Sequence, residues 1–423
     1  MIEFSLSEEQ EMLKTSAREF LEKECPEALV RKIQTDRKGY SPELWKKIAE
    51  LGWLGIMFPQ KYGGIEGNAL DMMVIHEEIG RALFPSPYLS TVVLCGNTIL
   101  EAGSEEQKKE FLAGIIDGKL ILSLALTEPE ASWDGKPYEP EGITVNATAD
   151  GDDYIIDGAK LFVHDAHIAD YILCVTRTKD EGPDENGITL FLVDARSPGI
   201  SITVLNTLTN KNEQCEVVFD KVRVPGKNMV GKLNGGWAPL FKSIQLGAVM
   251  LGAQMTGAGE RILELTLEYA KTRIQFDMPI GINQYIQEHC VQIAANQDAC
   301  RRVTEYAAWA LSTQQDVDFG VAACKAWCSK AHEQVCWRAH QVFASAGLTL
   351  KLHILPLFTR RGLVMQQELG DATYWLEKVA LELEKLPPHL KTQGKPLGFW
   401  DPGKKRIPMW DIWQEYAESL QKL

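Results

Sequence analysis

The apolar residues of the first ~120 positions recur three and four residues apart, which is the spacing of a helix face. Met12, Ala17 and Phe20 follow a Ser5-Leu-Ser segment that offers a helix cap with acids in the first turn. Ser41 followed by a proline predicts another helix start, because proline suits the first helical position. We therefore predict an N-terminal α-helical domain over residues 1–120.

At Leu120 the spacing of apolar residues changes to that of strands. Residues 120–129 are typical of a buried strand that ends in a turn. Asp157-Gly158, between two apolar runs, predicts a hairpin. In all, six or seven strands are predicted up to Val224, and such a run with short turns indicates an antiparallel, barrel-like β-domain. We assign residues 121–235 to it.

Helical spacing returns near Trp237. Five helices are predicted, over residues 237–272, 284–313, 316–346, 354–366 and 371–385. Long helices with few loops indicate a bundle, so residues 236–385 are predicted to form a C-terminal α-helical bundle. The fold class is therefore α+β in the order helical, strands, helical. Residues 386–423 form a Trp-rich extension, which we expect to dock on its own or a neighbouring subunit.

Composition excludes several classes of function. The chain has 423 residues, 45% of them hydrophobic and 24% charged, as in an ordinary soluble protein. A net charge of -14 argues against a nucleic-acid partner. No run of about 18 apolar residues predicts a membrane span, and the first ten residues do not resemble a signal peptide. We therefore expect a cytoplasmic protein.

Cys324, Cys328 and His332 are four residues apart and could share one helix face. A metal site would need further ligands, so a buried helix with small apolar thiols is the better interpretation, and we predict no metal. An odd number of cysteines, nine, also suits reduced thiols.

Polar and aromatic residues collect between the first two bundle helices. Met278-Pro279 predicts a turn there, because a residue before proline is disfavoured in a helix. The turn would bring together Arg273, Gln275, Phe276 and Gln284, and this set suits an anionic aromatic ligand such as a nucleotide. The alternative is a plain helical hairpin with a solvated arginine and a core phenylalanine.

The sequence of this turn, Tyr269-Ala-Lys-x-Arg-x-Gln-Phe-x-x-Pro-Ile-Gly-x-x-Gln284, resembles the corresponding sequence of the acyl-CoA dehydrogenase family. Further segments resemble the same family in the same order, and together they span about residues 1–385, including a Pro-x-x-x-Gly-Gly loop at Pro59. The resemblance implies FAD, an acyl-CoA substrate and an electron-transfer flavoprotein or similar acceptor. It also implies a tetramer, either a homotetramer or a hetero-oligomer with a related subunit, in which neighbouring chains share each flavin.

The resemblance also implies cofactor-binding residues. Thr127 belongs to a Thr-Glu-Pro segment, and Phe162, Val163 and His164 occupy the place of the family's Trp-Ile-Thr. The alternative for Thr127 and Phe162 is ordinary strand packing. On the bundle the resemblance assigns Arg273, Gln275, Phe276, Gln284, Gln341 and Ser345.

Several residues depart from the family pattern. Ala344-Ser345 replaces a Gly-Gly pair that lets backbone approach the pyrophosphate. His164 replaces a threonine, and Trp133 stands where a small residue is expected.

The family carries its catalytic glutamate at one of two positions, and both depart here. Counting back from Arg273, the first falls on Gly247, beside Ala248. The second lies in a Tyr-Glu-Gly-Thr loop, which aligns with residues 367–371. If the glycines coincide, the base position is Leu369, whereas a slip of one residue makes it Glu368. We take Glu368 as the candidate base and Asp371 as second, against a helix-cap or surface carboxylate.

Two functional hypotheses follow. The first is an FAD-dependent acyl-CoA dehydrogenase, which moves a hydride to flavin N5, acting on a bulky or cyclic acyl group suggested by Trp133 and Tyr88. The second is a family member with altered catalysis. It would be either a non-catalytic partner subunit of a hetero-oligomer or a non-oxidative acyl-CoA lyase or decarboxylase.

Overall fold

The computed structural model of the chain describes residues 6–129, 138–179, 185–207, 214–350 and 353–385. Chain contacts divide it into two units, residues 1–378 and 379–423. Of the second unit the structure describes residues 379–385, the end of a helix. The predictions for Trp133 and for the 386–423 extension lie outside the described residues.

The N-terminal part is helical, and its capping residues explain where the helices begin. Ser7 forms a capping box with Gln10, and Ser41 accepts a hydrogen bond from the Leu44 N–H, so both predicted starts are confirmed. The helices are α1 (Glu8–Glu24), α2 (Glu27–Ile33), α3 (Pro42–Glu50), α4 (Ala69–Arg81), α5 (Asn97–Ala102), α6 (Glu105–Gln107) and α7 (Ala113–Ile116). Wide π-type turns at Leu89–Gly96 and Lys108–Leu112 lead into α5 and α7.

The middle part is a mixed eight-stranded sheet. Its strands are β1 (Leu122–Ala125), β2 (Asn146–Asp150), β3 (Asp153–His164), β4 (Tyr171–Arg177), β5 (Ile188–Asp194), β6 (Ile200–Val204), β7 (Gln214–Pro225) and β8 (Met229–Val230). The order is β6-β7-β3-β2-β4-β5-β8, and β1 pairs in parallel with β4. The predicted middle β-domain is confirmed. Among the described residues its sheet does not close into a barrel, and it is not purely antiparallel.

The hairpin predicted at Asp157-Gly158 is also wrong. Strand β3 runs straight through these residues, and its register against β7 shifts between Ile156 and Gly158. The pair therefore lies opposite a β-bulge, in which β7 carries one more residue than β3 between the two paired positions. The turn lies earlier, at Gly151-Asp152, where β2 and β3 meet.

Long helices form the C-terminal part. They are α8 (Trp237–Thr272), α9 (Gln284–Thr313), α10 (Val317–Phe343), α11 (Leu355–Gln367) and α12 (Ala372–Lys385). The predicted bounds of α8 and α9 are confirmed, and the others agree within three residues at each end. No helix in the described ranges is long and apolar enough to cross a bilayer.

The turn between α8 and α9 lies earlier than predicted. Ile274–Gln275 (β9) pairs antiparallel with Met278–Pro279 (β10), so the chain reverses at Phe276-Asp277 instead of at the proline. Both turn residues have positive φ, 52° and 64°, as the tight turns of two-residue hairpins require.

Candidate active site

A cavity of about 500 Å³ opens between the sheet and the loop that joins α11 to α12. The sheet side contributes residues near the ends of β1 and β3 and the start of β7, and the helical side contributes residues 367–377. Its lining residues are Ser90, Leu94, Leu124, Leu126, Thr127, Tyr138, Phe162, His164, Gln214, Gln367, Glu368, Leu369, Gly370, Asp371, Thr373, Tyr374 and Glu377. The cavity therefore contains three of the sequence-predicted cofactor residues and the candidate base.

Glu368 lies on the cavity wall directly after α11, and its N–H donates to the Val364 carbonyl. The residue is 8% exposed. Its Oε1 lies 3.6 Å from Nε2 of His164, and its Oε2 has no hydrogen-bond partner among the described residues. A buried carboxylate oxygen without a donor is costly unless the group has a ligand or a reaction to serve. The alternative of a surface carboxylate is therefore wrong.

Asp371 has a structural task. Its Oδ1 accepts a hydrogen bond of 2.9 Å from the Tyr374 N–H in the first turn of α12. This is the bond that a helix-capping aspartate makes. Asp371 therefore lines the cavity with one oxygen committed to the helix.

His164, at the end of β3, is held from two sides. Ser123 donates to its carbonyl at 2.5 Å, and its ring Nε2 lies 3.0 Å from the amide nitrogen of Gln214. In the tautomer whose Nε2 carries no hydrogen, this nitrogen accepts from the Gln214 amide. The imidazole and the Glu368 carboxylate therefore lie side by side in the cavity wall.

Three non-glycine residues around the cavity adopt positive φ. They are Phe162 at 54°, Asp165 at 62° and Leu369 at 59°. Such conformations cost free energy and persist only where surrounding contacts impose them. Ser90 donates to the Asp165 carboxylate at 2.6 Å, and the Trp375 indole donates to the Leu369 carbonyl at 2.9 Å. The cavity wall is therefore held in an unusual shape from several elements.

The two base positions implied by the family resemblance meet in space. A methyl group on Gly247 would lie 2.6 Å from Cδ1 of Leu369 and 2.9 Å from Cδ2 of Leu94. Both positions therefore contribute to one apolar contact that has no room for a second side chain. A carboxylate reaches the cavity from the neighbouring position instead, on Glu368.

The predicted cofactor residues of the sheet divide into two groups. Thr127, Phe162 and His164 line the cavity, although the Thr127 hydroxyl also donates to the Leu161 carbonyl. Val163 does not line it, because alternate residues of a strand face opposite sides. Its side chain is 1% exposed and packs in the sheet core.

The predicted cofactor residues of the bundle lie elsewhere on the chain. Arg273, Gln275 and Phe276 belong to the β9–β10 hairpin, and Phe276 is 97% exposed. Gln284, Gln341 and Ser345 are exposed too. None of these six residues lines the cavity, so within one chain the two groups of predicted cofactor residues do not share it.

Tyr88 does not serve the cavity. Its side chain is 1% exposed, its hydroxyl donates to the Trp53 carbonyl, and its ring stacks edge-on against His76. The prediction that Tyr88 shapes an acyl pocket is therefore wrong.

Sequence inspection missed Ser90, Gln214 and Lys325. Ser90 lies in a π-type turn, which sequence spacing does not announce. Gln214 faces His164 only because β7 pairs with β3. Lys325 gave a signal, since it is a lone cation among the buried Ala and Cys residues of α10. Cys324 and Cys328 beside it are buried thiols.

Three sequence models of one family match the chain in order. The acyl-CoA dehydrogenase N-terminal domain matches residues 7–119, the middle domain residues 123–222 and the C-terminal domain residues 234–380. The acryloyl-CoA reductase (NADH) of Anaerotignum propionicum is 30% identical over 387 residues, which cover 90% of this chain and 96% of that protein.

Two further proteins are similar along most of their length. The caffeyl-CoA reductase-Etf complex subunit CarC of Acetobacterium woodii is 28% identical over 352 residues, covering 81% of this chain and 89% of that protein. The solved structure of butyryl-CoA dehydrogenase from Megasphaera elsdenii matches with a TM-score of 0.82 and 26% identity, covering 91% of this chain and 100% of that chain.

Proposed function

The chain belongs to the acyl-CoA dehydrogenase family, FAD-dependent oxidoreductases that act on the CH–CH group of an acyl-CoA, and we propose that Glu368 is its catalytic base. The observation that carries this proposal is the buried Glu368 carboxylate on the cavity wall, with Oε2 free of hydrogen-bond partners among the described residues. An oxygen without a donor keeps its lone pairs available for a proton.

The reaction begins at the carbon next to the thioester carbonyl, whose proton is weakly acidic. A base must lie about 3–3.5 Å from that carbon to remove it. Glu368 lines this cavity with Oε1 near His164 and with Oε2 free of a donor among the described residues. Leu94 and Leu369 add apolar surface to the same wall, and burial leaves the Glu368 carboxylate poorly hydrated.

The residues present fit a flavin ring. Thr127, Phe162 and His164 offer a hydroxyl, an aromatic face and an imidazole along one side of the cavity. Bound FAD would accept the hydride that leaves the β-carbon. We propose that Thr127, Phe162 and His164 contact the flavin ring, with the His164 imidazole held by its hydrogen bond to Gln214.

The exposed bundle residues would hold the remainder of FAD from a neighbouring copy. The family is typically tetrameric. Arg273 suits a phosphate, and the fully exposed Phe276 ring suits a partner surface. Gln275, Gln284, Gln341 and Ser345 lie exposed on the same helical bundle and would add amide and hydroxyl contacts.

The acyl group is proposed to be bulky or cyclic. Tyr138 and Tyr374 form an edge-to-face pair in the lining, with ring centres 6.4 Å apart. Aromatic walls of this kind favour a ring. No lysine or arginine is among the described lining residues, whereas three carboxylates are, which disfavours an acyl chain ending in a carboxylate.

The electron acceptor is proposed to be an electron-transfer flavoprotein or a similar carrier. The similar CarC is named as a subunit of an Etf complex. A cytoplasmic location is part of the same proposal. Every one of the nine cysteines is a free, buried thiol, as in a reducing compartment.

The assignment of Glu368 is tested with the Glu368→Gln variant, using 3-phenylpropionyl-CoA and butyryl-CoA as substrates. The variant should retain FAD at the wild-type ratio and lose at least ~10²-fold in the rate of flavin bleaching, the usual size of a general-base contribution. Asp371→Asn is the rival variant. A loss with Asp371→Asn and none with Glu368→Gln would transfer the role to Asp371.

A further inference from the structure

Lys325 is a fully buried lysine inside the C-terminal bundle. It lies on α10, and its exposed fraction is 0%. Its Nζ donates to the Gln366 carbonyl at 3.0 Å, to the Gly370 carbonyl at 2.8 Å and to the Ser329 hydroxyl at 3.3 Å. A lysine is rarely buried unless its charge and donors are used.

Two of these three bonds enclose the segment that carries Glu368. Gln366 lies two residues before Glu368, and Gly370 lies two residues after it. One ammonium group therefore ties together both ends of the 366–370 segment, which we call the base loop. The loop is too short to move between these bonds without breaking one of them.

Other donors hold the middle of the base loop. The Trp375 indole donates to the Leu369 carbonyl at 2.9 Å, and the Tyr138 hydroxyl donates to the Gln367 carbonyl at 3.3 Å. Of these donors, Lys325 brings a charge and comes from a helix outside the cavity lining. Lys325 therefore acts on Glu368 through the base loop, from outside the cavity lining, and does not touch the substrate.

The charges around Lys325 are mainly negative. The carboxylates that interact with it are Glu368, in the base loop, and Asp371, directly after that loop, and the Cys324 and Cys328 thiols lie beside it on its own helix. Burial lowers the pKa of Lys325 to about 7, and the Glu368 carboxylate is the first of the neighbouring groups that oppose this shift. The ammonium form is therefore lost as the pH rises through about 7.

We propose that Lys325 is a positioning residue for the base, holding the base loop in its reactive geometry and supplying a buried counter-charge to the Glu368 carboxylate. This inference rests on the assignment of Glu368 as base. A rotation of the loop would move the carboxylate away from the α-carbon, and a misplacement of about 1 Å is enough to cost as much as ~10²-fold in rate.

The test measures proton removal without oxidation. In (phenylthio)acetyl-CoA a sulfur replaces the β-carbon, so the base can take an α-proton but no hydride can leave. In D₂O the carbanion takes up deuterium, and exchange is followed by mass spectrometry on the FAD-loaded protein. Lys325→Met should lower the exchange rate at least ~10-fold. Lys325→Gln keeps donors for the two carbonyls and should lose less.

The pH dependence of the exchange rate distinguishes the effect of the Lys325 charge from the effect of its packing. The ratio of wild-type to Lys325→Gln rates should be largest below pH 7 and should shrink above it, because wild-type Lys325 is then neutral too. Ser329→Ala is the matched control. It removes the partner of Lys325 on its own helix and leaves both base-loop bonds, so its exchange rate should stay within about twofold of wild type.

The inference is overturned if Lys325→Gln exchanges at the wild-type rate at every pH while Glu368→Gln does not exchange. Should Lys325→Met fail to fold, the Gln variant and its pH profile still decide. Persistent exchange in Glu368→Gln would instead overturn the assignment of the base itself.

Discussion

At the scale of single residues, the base loop depends on backbone conformations that few residues adopt. Leu369 has φ 59° and Gly370 has φ 98°. For Gly370 the space is also restricted, because a methyl group there would lie 2.4 Å from Cδ1 of Tyr374 and 2.9 Å from the Trp375 indole nitrogen. Glycine is therefore required twice over, by its dihedral angle and by its neighbours.

Replacing Gly370 by alanine should destabilise the protein more than the same change at Gly151. Gly151, in the β2–β3 turn, has φ 67° and no atom within 4 Å of an added methyl group. Gly151→Ala should therefore cost only the backbone term, about 1 kcal/mol. Gly370→Ala adds a clash and should cost roughly 2 kcal/mol more. Thermal unfolding midpoints measure both, and equal losses would contradict the packing described for Gly370.

At the scale of elements, a buried ion pair fixes the sheet side of the cavity. Glu128 follows β1 and Lys160 lies on β3, and their side chains are almost fully buried, with Nζ 2.5 Å from Oε1. Glu128 also accepts from the backbone and hydroxyl of Thr144, and Lys160 donates to the Leu126 carbonyl. The pair therefore sets where Thr127 and Phe162 meet the cavity.

Removing one member of this pair should be worse than removing both. Glu128→Gln leaves the Lys160 ammonium buried without its counter-charge and should cost about 3–5 kcal/mol. Adding Lys160→Met to that variant removes the unpaired buried charge and should restore part of the lost free energy of unfolding. Chemical denaturation of the two single variants and the double variant gives the coupling free energy. A double variant no more stable than Glu128→Gln would show that the ion pair does not couple the two strands.

Elements with local signals could be predicted from the sequence, and those set by pairing could not. Helices α8 and α9 follow from apolar spacing over many turns, and Ser41 marks the start of α3. Asp157-Gly158 carries a hairpin signal, but β3 continues through the pair and β7 carries a bulge opposite it. The alignment with the family loop left two neighbouring residues, Glu368 and Leu369, as alternatives for the base position. Only the contact of Leu369 with Gly247 shows how the two residues divide the space.

At the scale of the whole molecule, the proposed cofactor residues form two separate groups on one chain. One group lines the cavity, and the other lies exposed on the bundle around the β9–β10 hairpin. A chain-local site would leave the second group without a ligand. The family is typically tetrameric, and in a tetramer the β9–β10 hairpin of a neighbouring copy can contact the FAD bound in the cavity of this chain. The separation of the two groups is therefore compatible with one FAD site.

Removing the charge of Arg273 should therefore lower FAD retention without unfolding the protein. Arg273 is exposed at the hairpin and, in our proposal, grips a phosphate of the cofactor in a neighbouring copy. Arg273→Gln should reduce bound FAD per chain after gel filtration, and its affinity for added FAD should fall roughly 10-fold. Lys271→Gln is the matched control, because it removes the charge of another exposed cation two residues earlier. If both variants retain FAD at the wild-type ratio, the hairpin does not hold the cofactor. If both lose it alike, the effect is one of net charge, and Arg273 has no specific role.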